Sequence, residues 1–283
     1  MCQSLPVFTI IIPTYNQADL LSKALHSVIN QTYEKWEAIV IDNYSADNTK
    51  DVVEKLHDCR IRYIPFRNQG IIAASRNRGI ALSHGKYIAF LDSDDLWYPE
   101  KLSSCLEVLS QGFDAVCHGM WIRHKGKLTQ KILPALIQDN VFESLLFSGN
   151  SGITTSAIIV DKKSLEKFGV FSEDEQLVTA EDYDLWLRLS EHNIKWVFLS
   201  EVLGEYYVHG KNASRNIDKQ MNAEETIVLA HFSRRGYNSA GKRLLLKKRR
   251  LMIAFRAGKR AVDSGLLRES IPFFIQGLAR IWS

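Results

Sequence analysis

Three carboxylates crowd into four residues of the segment KYIAFLDSDDLWYP, residues 86–99. Asp92, Asp94 and Asp95 follow an apolar run, and like charges this close repel one another. Where a strand enters a tight turn, Asp92 and Asp94 share a face because side chains two residues apart point the same way. Two such carboxylates offer the oxygen ligands that Mg²⁺ and Mn²⁺ prefer, together with substrate phosphates. The segment therefore predicts a divalent-cation site.

The same segment allows a structural interpretation, in which Asp94 or Asp95 caps a helix that begins in LWYPEKL. Asp is a preferred N-cap residue, and Pro99 suits the first turn of a helix. The two interpretations are compatible, because one carboxylate can cap while its neighbours bind metal. We expect Asp92 and Asp94 to face the metal and Asp95 to cap the helix or orient its neighbours.

The elements that must position these carboxylates alternate between strand and helix. Strand-like runs occupy residues 7–12, 36–42, 60–66 and 86–91, and helix-like segments lie between them. Strands that are apolar on both faces and alternate with helices indicate a parallel α/β sheet covered by helices. Ligands of such sheets bind beyond the carboxyl ends of the strands.

Polar side chains follow the other three predicted strands as well. They are Thr14, Tyr15 and Asn16 after the first strand, Asp42 and Asn43 at the end of the second, and Asn68 after the third. Asn and Asp form turns and cap helices, so each of these residues has a structural explanation. Their coincidence at one rim indicates a binding site that is assembled from four loops.

The rest of the chain is less regular. The sequence predicts a hairpin that turns at Lys125 and Gly126, and a helix that begins near Glu181 with Thr179 as a candidate N-cap. From about Ala223 onward the pattern is helical, basic and amphipathic. We predict one domain over residues 1–215, with halves at about 5–110 and 111–215, and a helical C-terminal region over residues 216–283.

Composition excludes several classes of protein. Hydrophobic residues make up 46% and charged residues 24%, which are ordinary globular values. No apolar stretch approaches the roughly 18 to 20 residues of a membrane-spanning helix. The four cysteines form no C-x-x-C pair, which argues against a zinc ribbon or a disulfide framework and favours buried thiols. The N-terminus lacks the features of a signal peptide, so we expect a cytoplasmic protein.

The net charge of +4 is concentrated near the C-terminus, where residues 226–262 contain eleven Lys or Arg and no Asp or Glu. The stretch GKRLLLKKRRLMIAFRAGKRAV interleaves cations with apolar residues, which suits a helix on the anionic inner face of the cell membrane. A helix packed on the first domain, with a solvated basic face, explains the pattern equally well. No nucleic-acid-binding module surrounds the patch, so we expect no nucleic-acid partner.

Three segments resemble, in their order and spacing, the inverting GT-A-fold glycosyltransferases of family 2 from bacterial surface-polysaccharide synthesis. The segments are IIPTYNQADLLSKALHSVINQTYEKWEAIVIDNYSADNT, NQGIIAASRNRGIALSHGKYIAFLDSDDLWYPEKL and AEDYDLWLRL. The resemblance covers residues 7–214 and implies a GT-A fold, which is a Rossmann-like mixed α/β sheet covered by helices. It also implies transfer of a hexose or N-acetylhexosamine from a UDP-sugar to a saccharide acceptor, expected to be lipid-linked, in O-antigen, capsule or related synthesis.

The resemblance assigns roles to individual residues. It implies that the nucleotide sugar is bound by Pro13, Thr14, Tyr15, Asn16, Asp42, Asn43, Arg76, Asp92 and Ser93. Family members usually carry a second Asp at the position of Asn43, although an Asn carbonyl can still accept a hydrogen bond from the uracil N3–H. The structural alternative for Arg76 is an exposed cation on a helix.

The resemblance also implies a metal site and a catalytic base. Asp92 and Asp94 match the family's D-x-D motif, with Asp94 as the direct ligand of Mn²⁺ or Mg²⁺, and His209 matches a histidine near the diphosphate or metal. Asp182, in AED, matches the base that deprotonates the acceptor hydroxyl. The structural alternatives are favourable placement of Asp182 at a helix N-terminus and an ordinary structural role for His209.

Two other functions stay open at this point. A sugar-phosphate nucleotidyltransferase has a related sheet, but it normally carries a Gly-rich, Lys-containing phosphate loop that TIIIPTYNQ lacks. A catalytically silent saccharide-binding protein would have no need for Asp92, Asp94 and Asp182 together.

Overall fold

The first half of the sheet is built from parallel strands joined by helices. The computed structural model describes residues 5–137, 139–150, 152–209, 216–263, 270–275 and 279. The strands are β1 (Phe8–Thr14), β2 (Trp36–Asp42), β3 (Ile61–Pro65) and β4 (Tyr87–Phe90), and the helices are α1 (Ala18–Ile29), α2 (Thr49–Glu54) and α3 (Ile72–Leu82). These strands pair in the order β3-β2-β1-β4, all parallel. Each parallel pair needs a crossover, which the helices supply.

The second half makes the sheet mixed. Its strands are β5 (Leu96–Trp97), β6 (Ala115–His124), β7 (Lys127–Ile132), β8 (Ile158–Asp161) and β9 (Trp196–Val208). The order continues β4-β8-β6-β9-β5, with β7 paired to β6, and β8 runs antiparallel to both of its neighbours. The β6–β7 hairpin turns at Lys125 and Gly126, as predicted, and both residues have positive φ angles, 48° and 78°.

Helices and short 3₁₀ turns accompany the second half in the described part of the chain, where residues 270–275 are also helical. The helices are α4 (Lys101–Leu109), α5 (Val141–Ser148), α6 (Lys162–Phe168), α7 (Glu181–Glu191), α8 (Ile217–Arg234) and α9 (Ala240–Asp263), and the turns are Thr155–Ala157 and Glu175–Leu177. Helix α8 begins one residue into the predicted helical region 216–283, with the Asn216 side chain accepting a hydrogen bond from the Lys219 amide. None of the helices in the described ranges is long and apolar enough to cross a membrane.

Two helix-capping predictions are wrong. The residue before α7 is Ala180, and Thr179 instead has a φ of +84°, which a β-branched residue rarely adopts. Helix α4 begins only at Lys101 with Glu100 before it, too far along the chain for Asp94 or Asp95 to cap. The expectation that the cysteines are buried free thiols also fails in part. Cys105 and Cys117 are buried free thiols, but Cys59 is disulfide-bonded.

The sheet separates two apolar cores, because successive strand residues face opposite sides. Phe8, Ile10 and Ile12 of β1 pack with α1 and α4 on one side, while Ile11 faces the other core. The second core also receives side chains from α5, α7, α8 and α9. The C-terminal helices therefore pack against the same core as the sheet. The division near residue 215 remains a prediction, and residues 210–215, 264–269, 276–278 and 280–283 of the predicted segments lie outside the described residues.

Candidate active site

A pocket of about 1430 Å³ opens at the carboxyl ends of the parallel strands. It brings together every predicted site residue except Asp42: Pro13, Thr14, Tyr15, Asn16, Asn43, Arg76, Asp92, Ser93, Asp94, Asp182 and His209. These residues come from six separate segments of the chain. Their convergence follows from the parallel strands, whose carboxyl ends meet at one edge of the sheet.

Asp42 lies behind the pocket and supports its wall. Its side chain is 1% exposed and accepts hydrogen bonds from the Ser45 hydroxyl at 2.5 Å and the Tyr63 hydroxyl at 2.5 Å. Asn43 lines the pocket itself, and its Oδ1 accepts from the Asn68 amide at 3.0 Å. In this arrangement Asp42 fixes the loop that presents Asn43, and a direct contact of Asp42 with a nucleotide stays a prediction.

Arg76 bridges two carboxylates at the floor of the pocket. One guanidinium nitrogen donates to Asp92 Oδ1 and the other to Glu181 Oε1, each at 2.7 Å, and the residue is only 3% exposed. Burial alone would lower the pKa of Arg76, but Asp92 and Glu181 raise it above its ordinary value. Arg76 is therefore a buried cation rather than an exposed one. The sequence pattern did not single out its partner Glu181 as a residue of the site.

Asp94 and His209 are in direct contact in the lining of the pocket. Asp94 Oδ2 lies 2.8 Å from His209 Nε2, and both side chains are 14% exposed. Burial, with the nearby Asp92, raises the pKa of Asp94, and the contact with His209 opposes that rise. A carboxylate oxygen and an imidazole nitrogen are both ligands for Mn²⁺.

The Asp94–His209 pair fits a cation that is completed by substrate. No cluster of three or more His, Cys, Asp or Glu side chains that could hold a metal occurs among the residues that the structure describes. Magnesium-type sites commonly use one or two protein ligands, with substrate phosphates and water filling the other positions. The predicted ligand Asp92 uses Oδ1 for Arg76, so Asp94 and His209 are the better-placed pair.

Asp95 is a positioning residue. It is 1% exposed, and its carboxylate accepts hydrogen bonds from the Ser156 hydroxyl at 2.6 Å and the Tyr207 amide at 3.0 Å. These contacts join the acidic loop to the 3₁₀ turn and to β9, the strand that leads to His209. Of the two predicted roles for Asp95, the structure supports the orienting one.

Asp182 sits at the start of α7 with its carboxylate held in place. Thr155 Oγ1 donates to Asp182 Oδ2 at 2.8 Å, and the Tyr183 amide donates to Oδ1 at 2.7 Å. Burial, and then the neighbouring Glu181 charge, raise the pKa of Asp182 to about 6, although Arg76 and the two donors oppose the rise. A carboxylate that titrates near neutral pH can take a proton from a hydroxyl group more readily than an ordinary one.

One wall of the pocket is formed by α8 and α9, which the sequence analysis assigned to a separate helical C-terminal region. Its described residues are Ile217, Gln220, Met221 and Glu224 of α8, and Ile253, Arg256, Ala257 and Arg260 of α9. These residues recur at helical spacing, so their clustering on one face of each helix was visible in the sequence. That this face meets the active site could not be inferred, because helical periodicity identifies a face but not its partner.

Comparisons with known proteins agree with this geometry. The sequence profile for "Glycosyl transferase family 2" matches residues 9–168. A curated relative from Escherichia coli, the UDP-Glc:alpha-D-GlcNAc-diphosphoundecaprenol beta-1,3-glucosyltransferase WfgD, is 29% identical over 223 residues, which cover 78% of this chain and 84% of WfgD.

Two solved structures share the fold. TarS from S. aureus superposes with a TM-score of 0.69 at 19% identity, over 97% of this chain and 79% of that chain, and it has also been crystallised with UDP-GlcNAc. The mannosyltransferase PcManGT from Pyrobaculum calidifontis, in complex with GDP-Man and Mn²⁺, superposes with a TM-score of 0.60 at 16% identity. The superposition covers 98% of this chain and 76% of that chain. These likenesses confirm the predicted mixed α/β transferase fold.

Proposed function

The chain belongs to glycosyl transferase family 2, as its motifs predicted, and from this membership we propose that it is an inverting, metal-dependent transferase. In this proposal a hexose or N-acetylhexosamine moves from a UDP-sugar to a lipid-linked saccharide in O-antigen, capsule or other surface-polysaccharide synthesis. The observation that carries the proposal is that Asp182, the Asp94–His209 pair and the four predicted nucleotide loops line one pocket.

The nucleotide end of the pocket supports a uridine donor. Asn43 lines it with a side-chain amide that can both donate and accept hydrogen bonds, as recognition of a uracil edge requires. The name of WfgD specifies UDP-Glc, and TarS has been crystallised with UDP-GlcNAc. Ser93 is buried, and its hydroxyl donates to Gln17 at 2.6 Å, so it fixes the backbone beside the acidic loop.

Asp94 and His209 would hold Mn²⁺ or Mg²⁺, and the presence of Mn²⁺ with PcManGT supports this choice. When bound, such a cation stabilises the negative charge that develops on the leaving diphosphate. The protein contributes the orientation: Arg76 fixes Asp92, and Asp95 fixes the loop between Asp92 and β5.

Asp182 acts as the base in the proposed mechanism. It accepts the proton of the acceptor hydroxyl while that oxygen bonds to the anomeric carbon, and the bond from this carbon to the diphosphate breaks on the opposite face. The configuration at the anomeric carbon is therefore inverted. Thr155 and the Tyr183 amide keep the carboxylate oriented toward the pocket.

The exposed side of α9 supports contact with the inner face of the cell membrane. Leu244, Leu245, Met252, Phe255 and Val262 are 39–59% exposed, and the cations Lys248 and Lys259 are exposed between them. We call these seven residues the α9 stripe. The opposite side of α9 packs into the core, which is one of the two arrangements that its sequence pattern allowed. WfgD, by its name, acts on a lipid-linked acceptor.

A turnover assay tests this function. The protein is incubated with Mn²⁺ and a panel of UDP-sugars, and UDP release is recorded with and without lipid-linked saccharides. We expect at least one UDP-sugar to react, and NMR of the product to show an anomeric configuration opposite to that of the donor. Absence of turnover with every UDP-sugar, together with absence of metal-dependent UDP binding, would rule the function out.

A further inference from the structure

We infer that Arg256 and Arg260 of α9 bind the diphosphate group of a lipid-linked acceptor. The inference rests on the proposed function and identifies the part of the pocket that would distinguish a diphosphate-linked acceptor from a neutral saccharide. Both arginines line the same pocket as Asp182. They are four residues apart, so they lie one turn apart on the same face of α9.

The wall formed by α8 and α9 is positively charged among its described residues. Its one carboxylate, Glu224, is paired with the fully buried guanidinium of Arg249 and lies farther from Arg256, with a closest separation of 3.8 Å. Arg249 therefore already offsets the charge of Glu224. Arg260 lies on the same wall, and its guanidinium donates a hydrogen bond to the Gln220 side chain.

Arg256 is held in position while remaining accessible. Its guanidinium donates to the Ser148 carbonyl at 2.9 Å, yet its side chain is 47% exposed. Gly149, at the end of α5, has a φ of +89°, and a Cβ atom there would lie 2.8 Å from Arg256 and 2.9 Å from Arg249. Only glycine both adopts this backbone conformation easily and leaves room for the two guanidinium groups.

Apolar side chains surround these cations on the same wall, namely Ile217, Met221, Ile253 and Ala257. A neutral saccharide would gain little from these cations, and a nucleoside diphosphate has no hydrocarbon chain to contact the apolar groups. A diphosphate esterified to a long hydrocarbon chain fits it, because guanidinium groups bind phosphate oxygens in forked pairs and the aliphatic groups contact the chain. The neighbouring α9 stripe would then lie where such a chain enters the membrane.

Calorimetry with geranyl diphosphate as the probe tests the inference. The donor site is first saturated with UDP and Mn²⁺, so that the probe can bind only on the acceptor side of the pocket. We expect wild-type protein to bind geranyl diphosphate at least about ten-fold more tightly than geranyl phosphate. The Arg256→Gln/Arg260→Gln variant should bind geranyl diphosphate at least about ten-fold more weakly than wild type. Lys259→Gln, which removes an exposed charge outside the pocket lining, should change the affinity less than about two-fold.

Further variants separate binding from folding. Arg260→Gln alone leaves the Arg256–Ser148 contact intact and should still weaken geranyl diphosphate binding, and Arg256→Lys should weaken it because the forked geometry is lost. Thermal unfolding and UDP affinity should be unchanged in Arg260→Gln. Unchanged geranyl diphosphate affinity in the double variant, with UDP bound normally, would overturn this inference alone.

A vesicle measurement distinguishes the acceptor diphosphate from lipid headgroups. If the double variant loses affinity only for phosphatidylglycerol vesicles and keeps its affinity for geranyl diphosphate in vesicle-free solution, the arginines bind headgroups and the inference is wrong. Failure of wild-type protein to bind UDP with Mn²⁺ would instead contradict the proposed function on which the inference depends.

Discussion

Four carboxylates of the pocket, Asp92, Asp94, Asp95 and Asp182, have different kinds of partner group. Asp92 receives a guanidinium, Asp94 an imidazole, and Asp95 a hydroxyl and a backbone amide. Asp182 receives only neutral donors and keeps a raised pKa. The crowding of negative charge is thus tolerated because the partners separate the four carboxyl groups into distinct roles.

Replacement of the proposed base should remove most of the activity. We expect Asp182→Asn to lower kcat by about 10²–10⁴-fold, because the amide cannot accept the acceptor proton. The shape is conserved, so unfolding temperature and UDP affinity should stay close to wild type. The matched control is Asp174→Asn, an exposed position outside the pocket lining. Wild-type kcat in Asp182→Asn would show that another group acts as the base.

The pH dependence of the rate should follow the Asp182 carboxyl. Its pKa is about 6 and the carboxylate is the active form, so kcat/KM should fall as the pH drops below about 6. The Thr155 hydroxyl lowers this pKa, so Thr155→Val should move the acid limb to higher pH.

Initial rates measured from about pH 5 to about pH 8 check this shift. Thr129→Val, on the exposed strand β7, is the control and should leave the acid limb in place. An acid limb that is identical in Thr155→Val and wild type would exclude Asp182 as the titrating group.

The types of the site residues could be predicted from sequence, but their pairing could not. The motifs indicated that Asp92, Asp94 and Asp182 carry chemistry. The contact between Arg76 and Glu181 joins residues 105 apart in the chain, and only the tertiary fold brings them together. Thr155, which tunes Asp182, lies in a short 3₁₀ turn without any local sequence signal of that role.

At the level of elements, Arg76 connects three parts of the fold. It projects from α3 to Asp92, which follows β4, and to Glu181 in the first turn of α7. Removing the guanidinium would leave two carboxylates without their cation, one of them, Glu181, with a side chain that is only 7% exposed. Such a loss disturbs both the fold and the acidic loop.

We therefore expect Arg76→Met to lower the free energy of unfolding by about 3–5 kcal/mol, the usual effect of breaking a buried ion pair. Urea denaturation at neutral pH measures the change. Arg78→Met, two residues along the same helix at an exposed position, should change stability by less than about 0.5 kcal/mol. Equal effects of the two substitutions would mean that the bridge contributes nothing to folding.

The elements of the first half followed more closely from sequence than those of the second half, where the β6–β7 hairpin and the start of α7 were predicted but β5 was not. Periodicity placed β1 to β4 and their helices because each is a regular apolar pattern bounded by turns. The strand β5 has only two residues, and β9 continues for thirteen past two register shifts with β6. Such strands are set by their neighbours in the sheet, which local patterns do not record.

At the scale of the whole molecule, two sides of α9 have different surroundings. One side contributes to the core and the pocket wall, and the other carries the α9 stripe. A transferase with this arrangement would place its acceptor wall beside the membrane that holds a lipid-linked substrate. The stripe combines exposed cations with exposed apolar groups, the composition of a helix that lies in a membrane interface.

Vesicle sedimentation tests the stripe. We expect binding to phosphatidylglycerol-containing vesicles and weak binding to phosphatidylcholine alone. Lys248→Gln/Lys259→Gln should weaken the former by about 30-fold, since each cation contributes about 1 kcal/mol near an anionic surface. Phe255→Ser should weaken it further. Lys163→Gln/Lys195→Gln removes the same charge from other exposed positions and should have little effect; equal losses in both double variants would contradict a specific membrane face.

The central claim is that one pocket holds UDP through a cation bound by Asp94 and His209. Calorimetric titration of UDP with Mn²⁺ and with EDTA, for wild type, Asp94→Asn and His209→Gln, tests it most directly. We predict that wild-type protein binds UDP with Mn²⁺ at least about ten-fold more tightly than with EDTA, and that both variants lose this difference. Equal UDP affinity with and without metal in wild-type protein, or no UDP binding at all, would contradict the claim.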